Sequence, residues 1–218
     1  VDIIIPIYNA FDETRDCLQS IREHGNNDMR IVLIDDASTD FRIQNLLEDF
    51  KAVSGLNVVL LRNEKNLGFA KSANKGIRQS KDHDVLLLNS DTIVTKDWLR
   101  KIQKAAYSDE RIATVTPLSN GGSSFSWPLR MPNGMSISEI AEVADEFGLK
   151  TYPRIHVGVG FCLYIKRSVI EKMGLLEEHA YGKFYTEEND FCLRAGRRGY
   201  IHVLADDTFI FHKEEASM

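Results

Sequence analysis

Polar and acidic side chains follow an apolar run near the middle of the chain. Residues 85–88 are Val-Leu-Leu-Leu, typical of a strand buried on both faces, and Asn89, Ser90 and Asp91 come directly after it. Ligands of open α/β sheets bind outside the carboxyl ends of strands, and a carboxylate there can hold a hard divalent cation that binds phosphate. This favours a nucleoside diphosphate site. The alternative is a polar strand-to-helix turn in which Asp97 caps the next helix.

Two further acidic groups lie at predicted element ends. Asp35 and Asp36 follow a predicted strand over residues 30–34. Glu187 and Glu188 follow Thr186, a potential N-cap, so both carboxylates lie in the first turn of a helix, where the macrodipole favours their ionised form. They diverge by about 100° around that helix, so only one can face a crevice. The simpler alternative is that they only stabilise the helix, with Asp190 and Arg194 as an i,i+4 pair.

A histidine closes the last predicted strand. His212 is either a surface residue or a nitrogen ligand of a metal site, and we expect a cation site if it converges with Asp91. The three cysteines are widely spaced, which favours reduced apolar residues over a zinc site; they are Cys17, Cys162 and Cys192.

Apolar periodicity predicts the elements that carry these residues. Predicted strands at 1–7, 30–34, 57–61, 85–88 and 112–116 alternate with helices, which predicts an α/β fold with a mostly parallel sheet flanked by helices. The first helix begins at Asp12 without a glycine-rich turn before it, which argues against a dinucleotide fold.

The second part of the chain gives weaker patterns. Residues 118–134 are rich in turn formers and contain Phe125 and Trp127, which favours a lid or acceptor-contacting loop. A helix over 138–147 should bury Phe147, and an extended stretch follows over 156–165, where Gly158 and Gly160 allow close approach. Two final strands should be separated by a turn at residues 206–207.

Composition narrows the class of protein. The chain has 218 residues, 43% of them hydrophobic, and a formal charge of -5, which favours one globular domain and argues against nucleic-acid binding. Its apolar runs are too short to cross a bilayer. We expect a cytoplasmic protein, compatible with peripheral membrane association, and the strand at its start suggests a domain trimmed from a longer protein.

Five short motifs follow one another along the chain: residues 6–9 (Pro-Ile-Tyr-Asn), 35–40 (Asp-Asp-Ala-Ser-Thr-Asp), 66–69 (Asn-Leu-Gly-Phe) with 74–76, 88–91 (Leu-Asn-Ser-Asp) and 187–190 (Glu-Glu-Asn-Asp). In this order they resemble the inverting family 2 glycosyltransferases. Residues 161–167, 191–195 and 211–213 are also similar to the bacterial members that build surface polysaccharides.

The resemblance implies a GT-A fold with a nucleotide-binding half, residues 1–117, and an acceptor and catalytic half, residues 118–218. It implies transfer, with inversion, of a sugar from a UDP, GDP or dTDP sugar to a hydroxyl of a glycan or lipid-linked acceptor. Asp91 would hold Mg²⁺ or Mn²⁺, Asp36 or Asp35 would contact the base or ribose, and Glu188 would be the general base, with Glu187 as its competitor. The implied nucleotide-sugar pocket also contains Pro6, Tyr8, Asn9, Asn66, Gly68, Asn89 and Ser90.

The chain departs from the family pattern in two places. Asn89 replaces the first acid of the Asp-x-Asp motif, which leaves one carboxylate for the metal, and the catalytic acid pair is Glu-Glu, where the family has Glu-Asp. A non-catalytic sugar-nucleotide or carbohydrate-binding module is the main alternative. A dehalogenase-like phosphatase is disfavoured, because its nucleophilic aspartate would be Asn89.

Overall fold

The computed structural model describes residues 1–26, 28–121, 126–128, 130–178 and 187–213. Its first half alternates strands and helices: β1 (Asp2–Ile7), α1 (Phe11–His24), β2 (Arg30–Asp35), α2 (Phe41–Val53), β3 (Asn57–Arg62), α3 (Phe69–Gln79) and β4 (Val85–Leu88). These four strands are parallel, in the order β3-β2-β1-β4. Their carboxyl ends therefore share one edge of the sheet.

The second half extends the same sheet. It contains β5 (Thr92–Ile93), α4 (Trp98–Ala106), β6 (Ile112–Leu118), α5 (Ile137–Phe147), β7 (Arg154–Ile155), β8 (Cys162–Ile165), α6 (Arg167–Met173), α7 (Glu187–Gly196), β9 (Ile201–Phe209) and β10 (Phe211–His212). The order continues as β8-β6-β9-β7, and β8 runs antiparallel to both β4 and β6. The predicted α/β fold with a mostly parallel sheet is confirmed.

Helices cover both faces of the sheet. One buried apolar cluster joins α1, α2 and α4 to one face, and a second joins α3, α6 and α7 to the other. Helix α3 lies so close to β1 that a Cβ added at Gly76 would come within 2.5 Å of Ile4. The three cysteines are free and buried, as predicted. Within the described residues, no helix has the length and apolar character needed to cross a membrane.

Three sequence predictions about elements are wrong. Residues 206–207 form no turn but lie inside β9, at a shift of its register against β6; Asp206 there accepts hydrogen bonds from the backbone N–H groups of Thr151 and Tyr152. Phe147 is 70% exposed because it is the last residue of α5, beyond the buried face formed by Ile140 and Ala144. Asp97 lies at the N-terminus of α4 in a left-handed conformation and makes no side-chain cap.

Candidate active site

Asp91 and His212 lie together at the carboxyl edge of the sheet. His212 Nε2 is 3.2 Å from Asp91 Oδ1, and both side chains are largely buried. The two-residue strands β5 and β10 bring them together, because His212 pairs with Thr92 and the Lys213 N–H donates to the Asp91 carbonyl. The convergence predicted for these two residues is therefore present in the structure.

The Asp91 carboxylate fits a cation. Both of its oxygens are buried without a hydrogen-bond partner among the described residues, since the contact with His212 is close but not oriented as a hydrogen bond. A buried charge without such partners is costly, and a cation would compensate it. The carboxylate oxygen and the imidazole nitrogen are close enough, at 3.2 Å, that one cation could contact both. No group of three acidic, histidine or cysteine ligands occurs in the described residues.

Asn89, which replaces the first acid of the motif, also faces the histidine. Its Nδ2 atom is 3.5 Å from His212 Nε2. The backbone N–H of Asn89 donates to the carbonyl of Phe161, which fixes the end of β4 against the start of β8. Asn89 thus contributes an amide beside the candidate cation site where the family has a carboxylate.

Glu188 lies against the residues that lead into β8, the strand next to β4. It is half-buried at the start of α7, and its carboxyl carbon would be 3.4 Å from a Cβ added at Gly160. Burial raises the pKa of Glu188; its own backbone N–H opposes the rise, the charge of Glu187 adds to it, and the Gly160 N–H opposes it. The result is a carboxylate with raised basicity, as a general base requires.

Gly160 and Phe161 connect the two parts of the site. Gly160 lies against the Glu188 carboxyl, and the ring of the next residue, Phe161, stacks on His212 with centroids 5.2 Å apart. Because Gly160 has no side chain, the space in front of Glu188 stays open. One dipeptide therefore separates the candidate base from the candidate cation ligands.

A buried polar cluster supports this dipeptide. The Gly158 N–H donates to Cys192 Sγ at 3.3 Å, and the Val159 N–H donates to the Thr116 hydroxyl at 2.9 Å. Burial raises the pKa of Cys192 to about 11, so the residue is a neutral thiol. His202 lies 2.7 Å from the Thr114 hydroxyl, and burial lowers the pKa of this histidine.

The predicted nucleotide-pocket residues line the other strand ends. Asp36 accepts hydrogen bonds from Asn63 Nδ2 and from the backbone N–H groups of Leu67 and Gly68, at 2.7 to 2.8 Å. Its carboxylate therefore organises the loop before α3. Asp35 accepts from the Ser38 N–H, and its second oxygen has a longer, 3.4 Å contact with Arg62. Of the two residues predicted to contact the base or ribose, Asp35 has the carboxylate oxygen with the weaker contact. Its 3.4 Å distance from Arg62 is longer than the hydrogen bonds that Asp36 accepts.

Asn9 joins the first two strand ends. It has a positive φ of 56°, and its side-chain oxygen accepts from the Thr39 and Asp40 N–H groups at 2.9 and 3.0 Å. Tyr8 beside it is 44% exposed, and Asn66 accepts from the Gly68 N–H at 3.1 Å. Pro6 lies inside β1 and Ser90 between Asn89 and Asp91, so all of these residues lie at or near strand carboxyl ends.

The structure describes some of the remaining predicted residues and not others. The Asp190–Arg194 pair is confirmed, with a 2.7 Å hydrogen bond. Glu187 is buried in the first turn of α7. Thr186 and Phe125 lie outside the described residues. The sequence gives no signal for the role of Asn120, because Asn-Gly-Gly is typical of a turn. It marks Phe161 as part of the stretch similar to bacterial members, but not its contact with His212.

The chain matches known proteins in sequence. The family model described as "Glycosyl transferase family 2" matches residues 2–174. The putative teichuronic acid biosynthesis glycosyltransferase TuaG of Bacillus subtilis (strain 168) is 31% identical over 102 residues, 46% of this chain and 39% of that protein. The undecaprenyl-phosphate 4-deoxy-4-formamido-L-arabinose transferase of Pseudomonas fluorescens (strain SBW25) is 30% identical over 142 residues, 61% of this chain. The chain spans about 40% of the length of each of these relatives.

The fold also matches solved structures. The mannosyltransferase PcManGT of Pyrobaculum calidifontis, in complex with GDP-Man and Mn²⁺, has a TM-score of 0.73 at 17% identity, covering 99% of this chain and 58% of that one. TarS of S. aureus in complex with UDP-GlcNAc has a TM-score of 0.67 at 18% identity, covering 99% and 59%.

These likenesses confirm the predicted GT-A fold. The family model extends over most of the chain and includes the strand ends that carry Asp35, Asp91 and Gly160, so the chain belongs to glycosyl transferase family 2.

Proposed function

We propose that this protein transfers a sugar from a nucleoside-diphosphate sugar to an acceptor hydroxyl, with inversion at the anomeric carbon. The observation that carries the proposal is the Gly160–Phe161 dipeptide, which has the Glu188 carboxyl against one residue and the ring of His212 against the next. Sugar transfer needs a base for the acceptor and positive charge for the leaving diphosphate; Glu188 would supply the base, and a cation held at His212 would supply the charge.

Asp91 and His212 would hold the divalent cation, Mg²⁺ or Mn²⁺. A carboxylate oxygen and an imidazole nitrogen are ligands that such a cation accepts, and the ion would leave room for diphosphate oxygens of the donor. Such an ion would supply positive charge against the diphosphate that leaves. PcManGT is known in complex with GDP-Man and Mn²⁺, which supports a divalent cation at this site.

Glu188 would act on the acceptor. As the acceptor oxygen attacks the anomeric carbon, its proton moves to a Glu188 carboxylate oxygen, and the bond from that carbon to the diphosphate oxygen breaks with its electron pair. The nucleoside diphosphate leaves as the anion. No described side chain is assigned as a covalent nucleophile in this scheme, so one displacement inverts the anomeric centre.

The donor would lie along the strand ends of residues 1–117. Asp35, Asn9 and Tyr8 would contact the nucleoside, with Asn89 and Ser90 near the diphosphate. Residues 118–218 would supply the base and the acceptor contacts. PcManGT is known in complex with GDP-Man and TarS in complex with UDP-GlcNAc, which supports a donor of that class. The relative from Pseudomonas fluorescens is an undecaprenyl-phosphate 4-deoxy-4-formamido-L-arabinose transferase, which supports a lipid-linked acceptor.

A donor panel tests the proposal. UDP, GDP and dTDP sugars are incubated with Mn²⁺ and candidate acceptors, and release of nucleoside diphosphate is measured for the wild type and for Glu188→Gln. We expect turnover with one donor class, and NMR of the first product should show a β anomer from an α-linked donor. Tight nucleotide binding without turnover of any donor would instead identify a binding module, and an α product would contradict the single displacement.

A further inference from the structure

The side chain of Asn120 holds the backbone of His212. Its Nδ2 atom donates to the His212 carbonyl and its Oδ1 atom accepts from the His212 N–H, both at 2.9 Å. One amide thus makes the pair of hydrogen bonds that a neighbouring strand would make. His212 belongs to a strand of only two residues, so these two bonds are a large part of what fixes its position.

The next residue fixes the ring of the same histidine. The Gly121 carbonyl lies 2.7 Å from His212 Nδ1. A carbonyl oxygen only accepts, so the proton is on Nδ1, and in the neutral ring the lone pair is on Nε2. Nε2 is the atom that faces Asp91 at 3.2 Å. A hydrogen bond to one ring nitrogen is how proteins orient a histidine that binds metal through the other.

Asn120 lies inside the predicted lid or acceptor-contacting loop, residues 118–134. Ser119, the residue before it, accepts a 2.7 Å hydrogen bond from the N–H of Trp127 and pairs with Ser126. Trp127 is 39% exposed. Residues 126–127 are therefore tied to the residue that precedes Asn120.

We propose that Asn120 is a positioning residue: its side-chain amide, together with the Gly121 carbonyl, holds His212 in the place and tautomer in which Nε2 binds a divalent cation with Asp91. The inference rests on the cation of the proposed function. It assigns Asn120 no contact with the cation or the substrate, because its side chain is engaged by the His212 backbone.

Mn²⁺ binding in the presence of UDP tests the assignment without any turnover. Bound Mn²⁺ is followed by electron paramagnetic resonance for the wild type, Asn120→Ala, His212→Ala and the double variant, with Asn45→Ala, at an exposed position of α2, as the matched control. We expect Asn120→Ala to weaken Mn²⁺ binding about 10- to 100-fold, as loss of a group that orients a metal ligand does. In the His212→Ala background the same change should have less than about a twofold effect, because the two residues act as one unit.

The outcomes separate this inference from the proposed function. If His212→Ala loses Mn²⁺ affinity while Asn120→Ala keeps it, or if Asn120→Ala costs the same in both backgrounds, Asn120 does not act through His212. If His212→Ala binds Mn²⁺ as the wild type does, the proposed cation site itself fails.

If Asn120→Ala does not fold, a second measurement on the wild type still tests the assignment. Nitrogen-15 NMR of the metal-free wild type, with His212 assigned by its absence in His212→Ala, should show the Nδ1–H tautomer. A proton on Nε2 with none on Nδ1 would overturn the assignment.

Discussion

The properties of Glu188 depend on its neighbours. It lies against Gly160, and burial raises its pKa. We expect Glu188→Gln to reduce kcat by about 10²- to 10⁴-fold with nearly unchanged nucleotide affinity, because the amide keeps the shape but cannot take a proton. Steady-state kinetics and titration with the nucleoside diphosphate measure both. A variant with wild-type kcat would show that Glu188 only stabilises α7.

The same substitution has a predictable effect on stability. The folded-state pKa of Glu188 lies above its unfolded value, so the folded state binds more protons between the two, and stability falls as pH rises through that window. At neutral pH, Glu188→Gln should therefore unfold in urea at the same or a higher concentration than the wild type. If Glu188→Gln loses kcat but resists urea at least as well as the wild type, the loss of activity does not come from unfolding.

Glu187 supplies the matched variant. Its charge helps to raise the pKa of Glu188. Glu187→Gln should therefore lower that pKa and move the acidic limb of the kcat/KM profile to lower pH, while the wild-type limb lies above the ordinary glutamate value of about 4.3. If Glu187→Gln instead abolishes turnover and Glu188→Gln does not, the base is Glu187.

Replacing Asp91 should weaken Mn²⁺-dependent nucleotide binding more than replacing His212. Asp91→Asn removes the buried charge and should abolish Mn²⁺-dependent nucleotide binding, whereas His212→Ala removes a neutral ligand and should weaken it about 10- to 100-fold. Isothermal titration of UDP and GDP with and without Mn²⁺ measures the difference. Metal dependence that survives in Asp91→Asn would remove this residue from the cation site.

The sequence identifies the acidic residues of the site but not the residues that orient them. A carboxylate after a buried strand, as at Asp91, follows from the alternation of apolar runs and polar ends. The contact of Asn120 with His212 joins residues 92 positions apart through side-chain geometry. No local pattern encodes such a contact, because Asn-Gly is favoured in any turn.

At the scale of elements, Asp36 organises the loop between β3 and α3. Asp36 is 3% exposed, and Asp36→Ala would remove the acceptor of the Leu67 N–H and one of the acceptors of the Asn63 amide and of the Gly68 N–H. We expect the free energy of unfolding to fall by about 3 kcal/mol.

Urea unfolding measures this loss against Asp12→Ala. Asp12 is an exposed acid paired with Arg15, so its removal should cost less than about 1 kcal/mol. Equal effects of the two substitutions would show that the loop does not depend on Asp36.

The elements themselves were predictable where local pattern decides them. The first four strands and the helices between them follow from apolar runs and 3.6-residue spacing. The sequence pattern does not predict elements that depend on tertiary contacts. Strands β5 and β10 form by pairing with each other. Strand β9 continues through Asp206, whose carboxylate accepts hydrogen bonds from the backbone N–H groups of Thr151 and Tyr152. The packing of α5 ends at Ala144, which leaves Phe147 in solvent.

At the scale of the whole molecule, Asp2 stabilises the sheet edge opposite the site. Burial alone would raise the pKa of Asp2, but hydrogen bonds from Arg30, Ser80 and His83 outweigh it and lower the pKa. A lowered folded-state pKa adds stability above the unfolded value of about 3.9, and this is lost as pH falls through the folded value.

Asp2→Asn should therefore lower the free energy of unfolding by about 1 to 3 kcal/mol at pH 7 and by less near pH 3. Urea titrations of both proteins at the two pH values measure the difference. An equal loss at both would show that the charge of Asp2 does not contribute.

The position of β8 has a consequence for folding. It joins β4 to β6, and its pairing partners on β4 are about 75 to 80 residues earlier in the chain. Contacts of such sequence separation close late, because the entropy of the intervening loop opposes them. Gly160 and Phe161 lie at the entrance to this strand, so a chain in which β8 has not docked has a complete parallel first half but no assembled site. Hydrogen exchange should then show the amides of β8 opening together with loss of Mn²⁺ affinity, which would make metal binding a sensor of the docking of β8.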